Sequence, residues 1–245
     1  MKDNLLKDNF IYYAVAFVVL LLVLTTCNQA KADQLITDMI GPSVQLGNYC
    51  SGQIIHSKRN EKTGKVSTVV LTAKHCVKDG ELVSVNKAVY NEQNRKIAVK
   101  SYLATLLGKS YKSDLALLKL RDEDTFFDNV AKVAPAKTPL RFGQDVYVVA
   151  YPLGLSMTLT AGKLGYVEDG LFDGLSKSKQ FYRATPDVMP GSSGSAMFTL
   201  VDNSYQIIGI TTGMVGGITF MNFFTPVEEI NEYLDTAKTV IEGDE

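Results

Sequence analysis

The sequence predicts an all-β fold closed by one C-terminal helix. Three observations support this. Short runs rich in β-branched and aromatic residues follow one another from Ser43 onward, turn chemistry separates them, and only Pro226 to Val240 carries a helical apolar repeat.

The expected strands include Gly52 to His56, Val66 to Thr72, Ile97 to Ala104, Leu115 to Leu120, Val146 to Tyr151, Gln206 to Thr212 and Ile218 to Thr225. Runs of this length and spacing suit a sandwich or a barrel. Between the first two, Ser57 to Lys65 (SKRNEKTGK) reads as a solvated, charged hairpin turn. Asp169 to Lys179 (DGLFDGLSKSK) holds two Asp/Gly turn signals and is expected to be an exposed, mobile loop. In the last segment Pro226 suits a first helical turn, and Glu228 and Glu229 suit the positive end of the helix dipole. Val227, Ile230, Tyr233, Leu234 and Ala237 share one face, which should dock on the last strand.

With 245 residues, 46% of them hydrophobic and 21% charged, the chain can bury a sizeable core. Its 25 basic and 26 acidic residues are mixed along the sequence, so no basic face for nucleic acid or for an anionic membrane surface stands out. The first 32 residues differ from the rest. Phe10 to Leu24 is uncharged and mostly aliphatic, preceded by Lys2 and Lys7 and followed by Ala30-Lys31-Ala32. That order is the charged, apolar and small-x-small pattern of an export signal. Three outcomes are consistent with it: cleavage after Ala32, retention as an uncleaved anchor, or lipidation at Cys27 within Leu24-Thr25-Thr26-Cys27. The expected division is therefore a signal peptide or anchor over 1–32 and a folded domain over 33–245, exported to the periplasm or medium, with any membrane contact made only through the N-terminal segment. Partly exposed aromatics such as Phe126, Phe127 and Phe172 are the visible candidates for association, although isolated apolar surface residues are ordinary.

Outside that segment only Cys50 and Cys76 remain. An even pair in an exported protein suggests a disulfide, the alternative being two buried thiols. Closing a loop of about 27 residues would stabilise the fold by roughly 3–4 kcal/mol in the chain-entropy description.

Nucleophilic acyl transfer needs an alcohol, an adjacent base, a group orienting the base, and donors for the oxyanion. The chain has two histidines. His56 reads as an ordinary strand residue, whereas His75 ends an apolar strand in Leu71-Thr72-Ala73-Lys74-His75-Cys76. Asp114 opens another in Ser113-Asp114-Leu115-Ala116-Leu117-Leu118, where it reads either as a strand-start cap or as a partner for an imidazole. Ser193 stands between glycines in Pro190-Gly191-Ser192-Ser193-Gly194-Ser195-Ala196, whose glycines permit unusual backbone angles.

Together these segments resemble the chymotrypsin-like serine peptidases: TAKHC is similar to their TAAHC, SDLALLKL to their DIALL, and PGSSGSA to their GxSGG, in the same His, Asp, Ser order. Cys50-Ser51-Gly52 and Cys76 match the cysteine pair bracketing the histidine strand, and Gly143 to Gly165, with Tyr151-Pro152-Leu153-Gly154, resembles bacterial HtrA/DegP-type proteases. The resemblance spans about Pro42 to Pro226. It implies two six-stranded antiparallel β-barrels, a polypeptide substrate, and no metal or organic cofactor. It also implies Ser193 as nucleophile, His75 as base and Asp114 as orienting carboxylate, with the Gly191 and Ser193 amides as oxyanion hole.

Several features depart from the pattern. Ser192 stands where zymogen-activated relatives carry an Asp, Ser195 replaces the second glycine, and the PDZ domain of the two-domain HtrA arrangement is expected to be absent. The resemblance places Asp187, Thr211, Thr212, Gly213 and Asn222 at the substrate pocket. Asp187 reads either as an acidic pocket floor selecting Arg or Lys, or as part of an exposed Thr185-Pro186-Asp187 turn. The alternative at the level of function is an inactive binding protein on the same fold. A lipase-type esterase is disfavoured by the residue order and the lack of a GxSxG elbow.

Overall fold

The computed structural model describes residues 16–26, 29, 32–47, 49–93, 95–169, 180–214 and 221–242. The chain divides into two compact units, Met1–Ile36 and Thr37–Glu245. In the first, residues 16–26 are helical and Phe17 to Leu24 are exposed. Among the described residues no helix is long and apolar enough to cross a membrane.

The second unit begins with β1 (Ser43–Leu46), β2 (Cys50–Arg59), β3 (Val66–Thr72), β4 (Val83–Tyr90), β5 (Lys96–Lys109) and β6 (Ala116–Leu120). These close into a barrel in the order β1-β2-β3-β6-β5-β4, every pairing antiparallel. Val70 on β3 faces Leu118 on β6, and both join Val44, Ile54, Val85 and Ala104 in an apolar interior. Their neighbours Leu71 and Leu117 point the other way and are also buried. This explains why both strands read as continuous apolar runs rather than as alternation.

After the short β7 (Lys132–Val133) come β8 (Asp145–Ala150), β9 (Thr158–Asp169), β10 (Gln180–Ala184), β11 (Ala196–Val201), β12 (Ser204–Met214) and β13 (Asn222–Pro226). They form the ring β8-β9-β10-β13-β12-β11, closed by the β11–β8 pairing, with β7 added in parallel beside β12. Val146, Val148, Tyr182, Met197, Ile208 and Phe224 fill this second barrel. The C-terminal helix, Val227–Glu242, starts one residue after Pro226. Val227, Ile230 and Tyr233 are buried, and the helix packs against β12 and β13 as the apolar face anticipated. Glu228 accepts the Tyr182 hydroxyl at 2.6 Å, a contact that together with burial raises that phenol's pKa. The expected pair of six-stranded barrels is the observed architecture.

Some boundaries moved. β2 runs on to Arg59, so only Asn60 to Lys65 form the turn of the charged hairpin. Among the described residues the last strand runs Asn222–Pro226, and the expected start at Ile218 falls in residues 215–220, outside the described residues. So does most of the expected mobile loop Asp169 to Lys179, and Phe172 with it. Phe127 is partly exposed, as expected, with its ring meeting Tyr102 edge-on at 5.6 Å against the first barrel's core, and Phe126 is exposed.

Candidate active site

His75 follows β3 in a one-turn 3-10 segment, Lys74–Cys76. Asp114 lies just ahead of β6, and the β3–β6 pairing brings the two together. The Asp114 carboxylate accepts the His75 backbone N–H at 3.0 Å through Oδ1, and its Oδ2 lies 2.6 Å from His75 Nδ1. The aspartate side chain is 2% exposed and the imidazole 42% exposed, so a buried anion holds the inner edge of a ring whose outer edge is open. With Nδ1–H donated to the carboxylate, Nε2 is left as the acceptor. Cross-ties fix the loop: Lys74 N–H donates to Asp114 O at 3.1 Å, Lys74 Nζ to Ser110 O at 3.0 Å, and Ser110 Oγ accepts the Ser113 N–H at 3.1 Å.

Cys50 at the start of β2 is joined to Cys76 by a disulfide with Cα atoms 6.0 Å apart. The ligand-type atoms of Cys50, His75 and Cys76 lie within 4.8 Å of one another. The S–S bond uses both sulfurs and leaves one imidazole, too few donors for a metal ion.

Ser193 arrives from the second barrel, on the turn between β10 and β11. This turn can be accounted for peptide by peptide, since buried backbone groups must find partners. The Pro190 carbonyl accepts the Leu153 N–H at 2.6 Å, and the Gly191 carbonyl accepts the Ser51 hydroxyl at 2.9 Å. The Ser192 carbonyl accepts the Ser195 N–H at 2.9 Å, and the Ser193 carbonyl accepts the Ser51 N–H at 2.8 Å. Among the amides, Ser192 N–H donates to Met189 O at 2.8 Å and Gly194 N–H to Thr211 O at 2.9 Å. The N–H groups of Gly191 and Ser193 donate to no protein group among the described residues. One belongs to the serine itself and the other lies two residues before it, on peptides whose Pro190 and Ser192 carbonyls are tied.

Both glycines are required. Gly191 has φ +99°, and a Cβ there would lie 2.6 Å from Leu153 N and from Tyr151 O; Gly194 has φ +80°. Ser192 is buried and its hydroxyl accepts the Met189 N–H at 3.1 Å, so the turn is braced from within. Ser195 is also buried, its hydroxyl 2.8 Å from that of Thr211.

The pocket candidates do different things. Thr211 and Thr212 are buried, and the β12–β13 register passes from Thr211 to Gly213, so Thr212 sits in a bulge, its hydroxyl 2.7 Å from that of Thr225. Asn222 is fully buried and donates to Pro186 O at 2.7 Å, bracing the turn before the serine rather than lining an open surface. Asp187 is exposed, and its carbonyl accepts the Thr160 hydroxyl at 3.0 Å. His56 pairs with Val69 across β2 and β3, away from the catalytic candidates. Two residues that sequence reasoning did not single out, Ser51 and Leu153, supply three of the hydrogen bonds that shape the turn.

Comparison with known proteins identifies relatives in sequence and fold. The chain is 26% identical over 174 residues to a protein of Staphylococcus aureus (strain USA300) named serine protease HtrA-like, an alignment covering 64% of this chain and 22% of that relative. The same figures hold for its counterpart in strain NCTC 8325. The chain thus spans about a fifth of the length of the curated relatives it matches. Among solved structures, an HtrA-type protease, a serine-to-alanine variant of AlgW with a tripeptide, superposes with a TM-score of 0.62 at 19% identity, over 86% of this chain and 63% of that one. The inactive form of the Rv3671c protease superposes with a TM-score of 0.59 at 20% identity, over 82% and 91%. Both likenesses show a shared chymotrypsin-like fold. The family model of the trypsin-like peptidase domain matches residues 50–210, most of both barrels, and the chain therefore belongs to the trypsin-like peptidase domain family.

Proposed function

We propose that the chain is an exported serine endopeptidase in which Ser193, His75 and Asp114 act as a triad. His75 Nε2 takes the proton from Ser193 Oγ as the oxygen attacks the scissile carbonyl, forming a C–O bond and an oxyanion. His75 then delivers that proton to the departing amine as the C–N bond breaks, leaving an acyl-enzyme. Water, deprotonated by the same imidazole, releases the acid and restores the serine. Asp114 keeps the imidazole in the Nδ1–H tautomer and stabilises the imidazolium. The unspent Gly191 and Ser193 amides receive the oxyanion, where each donor is worth about 2.7–4 kcal/mol of transition-state stabilisation. The observation that carries the reading is the buried carboxylate on His75 beside a serine turn in which the carbonyls of Pro190 to Ser193 and the amides of Ser192 and Gly194 are committed.

The segment Thr211 to Gly213 offers main-chain pairing to an extended peptide, the mode in which a strand is added to a sheet edge. Asp187 acts as a turn residue: its exposed carboxylate is no pocket floor, and cleavage after Arg or Lys is not favoured. Export is supported by the apolar N-terminal segment and by the Cys50–Cys76 bond, which suits an oxidising compartment.

Incubating the full chain with a peptide library and mapping the cleavages by mass spectrometry tests this. Internal cleavage by the wild type that is lost in Ser193→Ala, with the preferred residue unchanged in Asp187→Ala, is expected. Cleavage that persists in Ser193→Ala would contradict the assignment.

A further inference from the structure

We infer that the Ser51 hydroxyl is a positioning residue for catalysis, clamping Gly191 so that its amide faces the reacting carbonyl. The inference rests on the proposed triad and oxyanion donors. Ser51 lies on β2 of the first barrel, next to Cys50, and its side chain is buried. Its Oγ accepts the Tyr151 N–H at 3.0 Å and donates to the Gly191 carbonyl at 2.9 Å. One hydroxyl thus links the Tyr151-Pro152-Leu153-Gly154 turn to the nucleophile turn. The same residue's N–H holds the Ser193 carbonyl at 2.8 Å, and its own carbonyl is fixed by the Thr72 hydroxyl at 2.8 Å. Ser51 therefore grips the turn on both sides of Ser192.

Gly191 needs that grip. A glycine at φ +99° has wide access to other conformations, and the peptide joining it to Pro190 points its N–H toward the substrate only while the Pro190 carbonyl points away. Rotation of that peptide would put a carbonyl oxygen where the oxyanion forms, exchanging a donor for a repelling acceptor. Two bonds oppose the rotation. Leu153 N–H holds the Pro190 carbonyl, and the Ser51 hydroxyl holds the carbonyl of Gly191 itself. Leu153 makes its bond from a left-handed conformation, φ 56° and ψ 19°, which a leucine adopts only when its surroundings impose it. The bridge from Tyr151 N–H to Ser51 Oγ is part of those surroundings, so the hydroxyl supports the first bond as well as making the second.

The test uses the full chain with Ser51→Ala, Ser51→Gly and Ser51→Thr, assayed on a peptide amide that the wild type cleaves. Affinity is also measured for a peptidyl trifluoromethyl ketone, whose hemiketal oxygen occupies the oxyanion position. Ser51→Ala and Ser51→Gly should lose about 10- to 100-fold in kcat, below the loss of a whole donor, with KM within about twofold. Ketone affinity should fall by a similar factor, and Ser51→Thr, which keeps the hydroxyl, should recover most of both. A kcat within twofold of wild type in the folded Ala or Gly variant would overturn the inference. So would a loss matched by KM with ketone affinity intact, or failure of both the Ala and Gly variants to fold, which would make Ser51 structural only. Wild-type turnover that disappears in Ser193→Ala establishes the underlying reading separately. If the wild type does not turn over, it is that reading which fails.

Discussion

At Gly194 a Cβ would lie 2.1 Å from Thr72 Oγ1 and 2.4 Å from the Ser51 carbonyl oxygen, in a backbone conformation that disfavours side chains. Gly194→Ala is therefore expected to destabilise the protein by about 2–5 kcal/mol through overpacking and strain, measured by urea unfolding, and to abolish peptide cleavage. Lys87 makes a different prediction. Its ammonium donates to the Gly41 carbonyl, and burial pushes its pKa down to about 8. The unfolded chain keeps that proton up to about pH 10.5. Between these values the unfolded state binds more protons, so stability should rise with pH by about 1–3 kcal/mol, a rise absent from Lys87→Met in unfolding curves taken from pH 7 to 10.5. The triad candidates were legible because each carries a distinctive flank: an apolar strand before His75, another after Asp114, and glycines around Ser193. Ser51 was not, because its importance arises from a contact with Gly191 across 140 positions, made only when the barrels assemble.

Among the elements, β3 was delimited from sequence to the residue, since Val66 to Thr72 is β-branched and bounded by polar turns. β9 was not anticipated. Its Gly162 and Gly165 and its exposed Lys163 weaken the strand pattern, and they are there because a Cβ at Gly162 would meet Pro186 N at 2.5 Å and one at Gly165 would meet Arg183 O at 2.9 Å. The β11–β12 hairpin turns on Asp202 and Asn203, both at positive φ, a two-residue connection that suits strand twist. The helix was legible from its face alone. Ile230 on that face is fully buried, and Ile230→Ala should cost about 2–4 kcal/mol, read as a lowered urea midpoint with unchanged slope.

At the scale of the whole molecule, the first barrel supplies His75 and Asp114, the second supplies Ser193, and the Cys50–Cys76 bond ties the histidine turn to the strand that carries Ser51. Replacing both cysteines by alanine should lower stability by about 2–4 kcal/mol in chemical unfolding and reduce activity at temperatures where the folded barrels persist. The antiparallel two-barrel plan was legible only through the motifs, because strand patterns alone do not distinguish a barrel from a sandwich. Pocket roles were the least legible. Asn222 and Asp187 take their positions from the turn around Pro186, which no local pattern specifies. The most direct measurement is fluorophosphonate labelling of the full chain, with the modified residue located by tandem mass spectrometry. Stoichiometric modification of Ser193, absent in His75→Ala and strongly slowed in Asp114→Asn, is predicted. A folded wild type that stays unmodified, or is modified at another serine, would contradict the assignment of Ser193 as a nucleophile activated by His75 and Asp114.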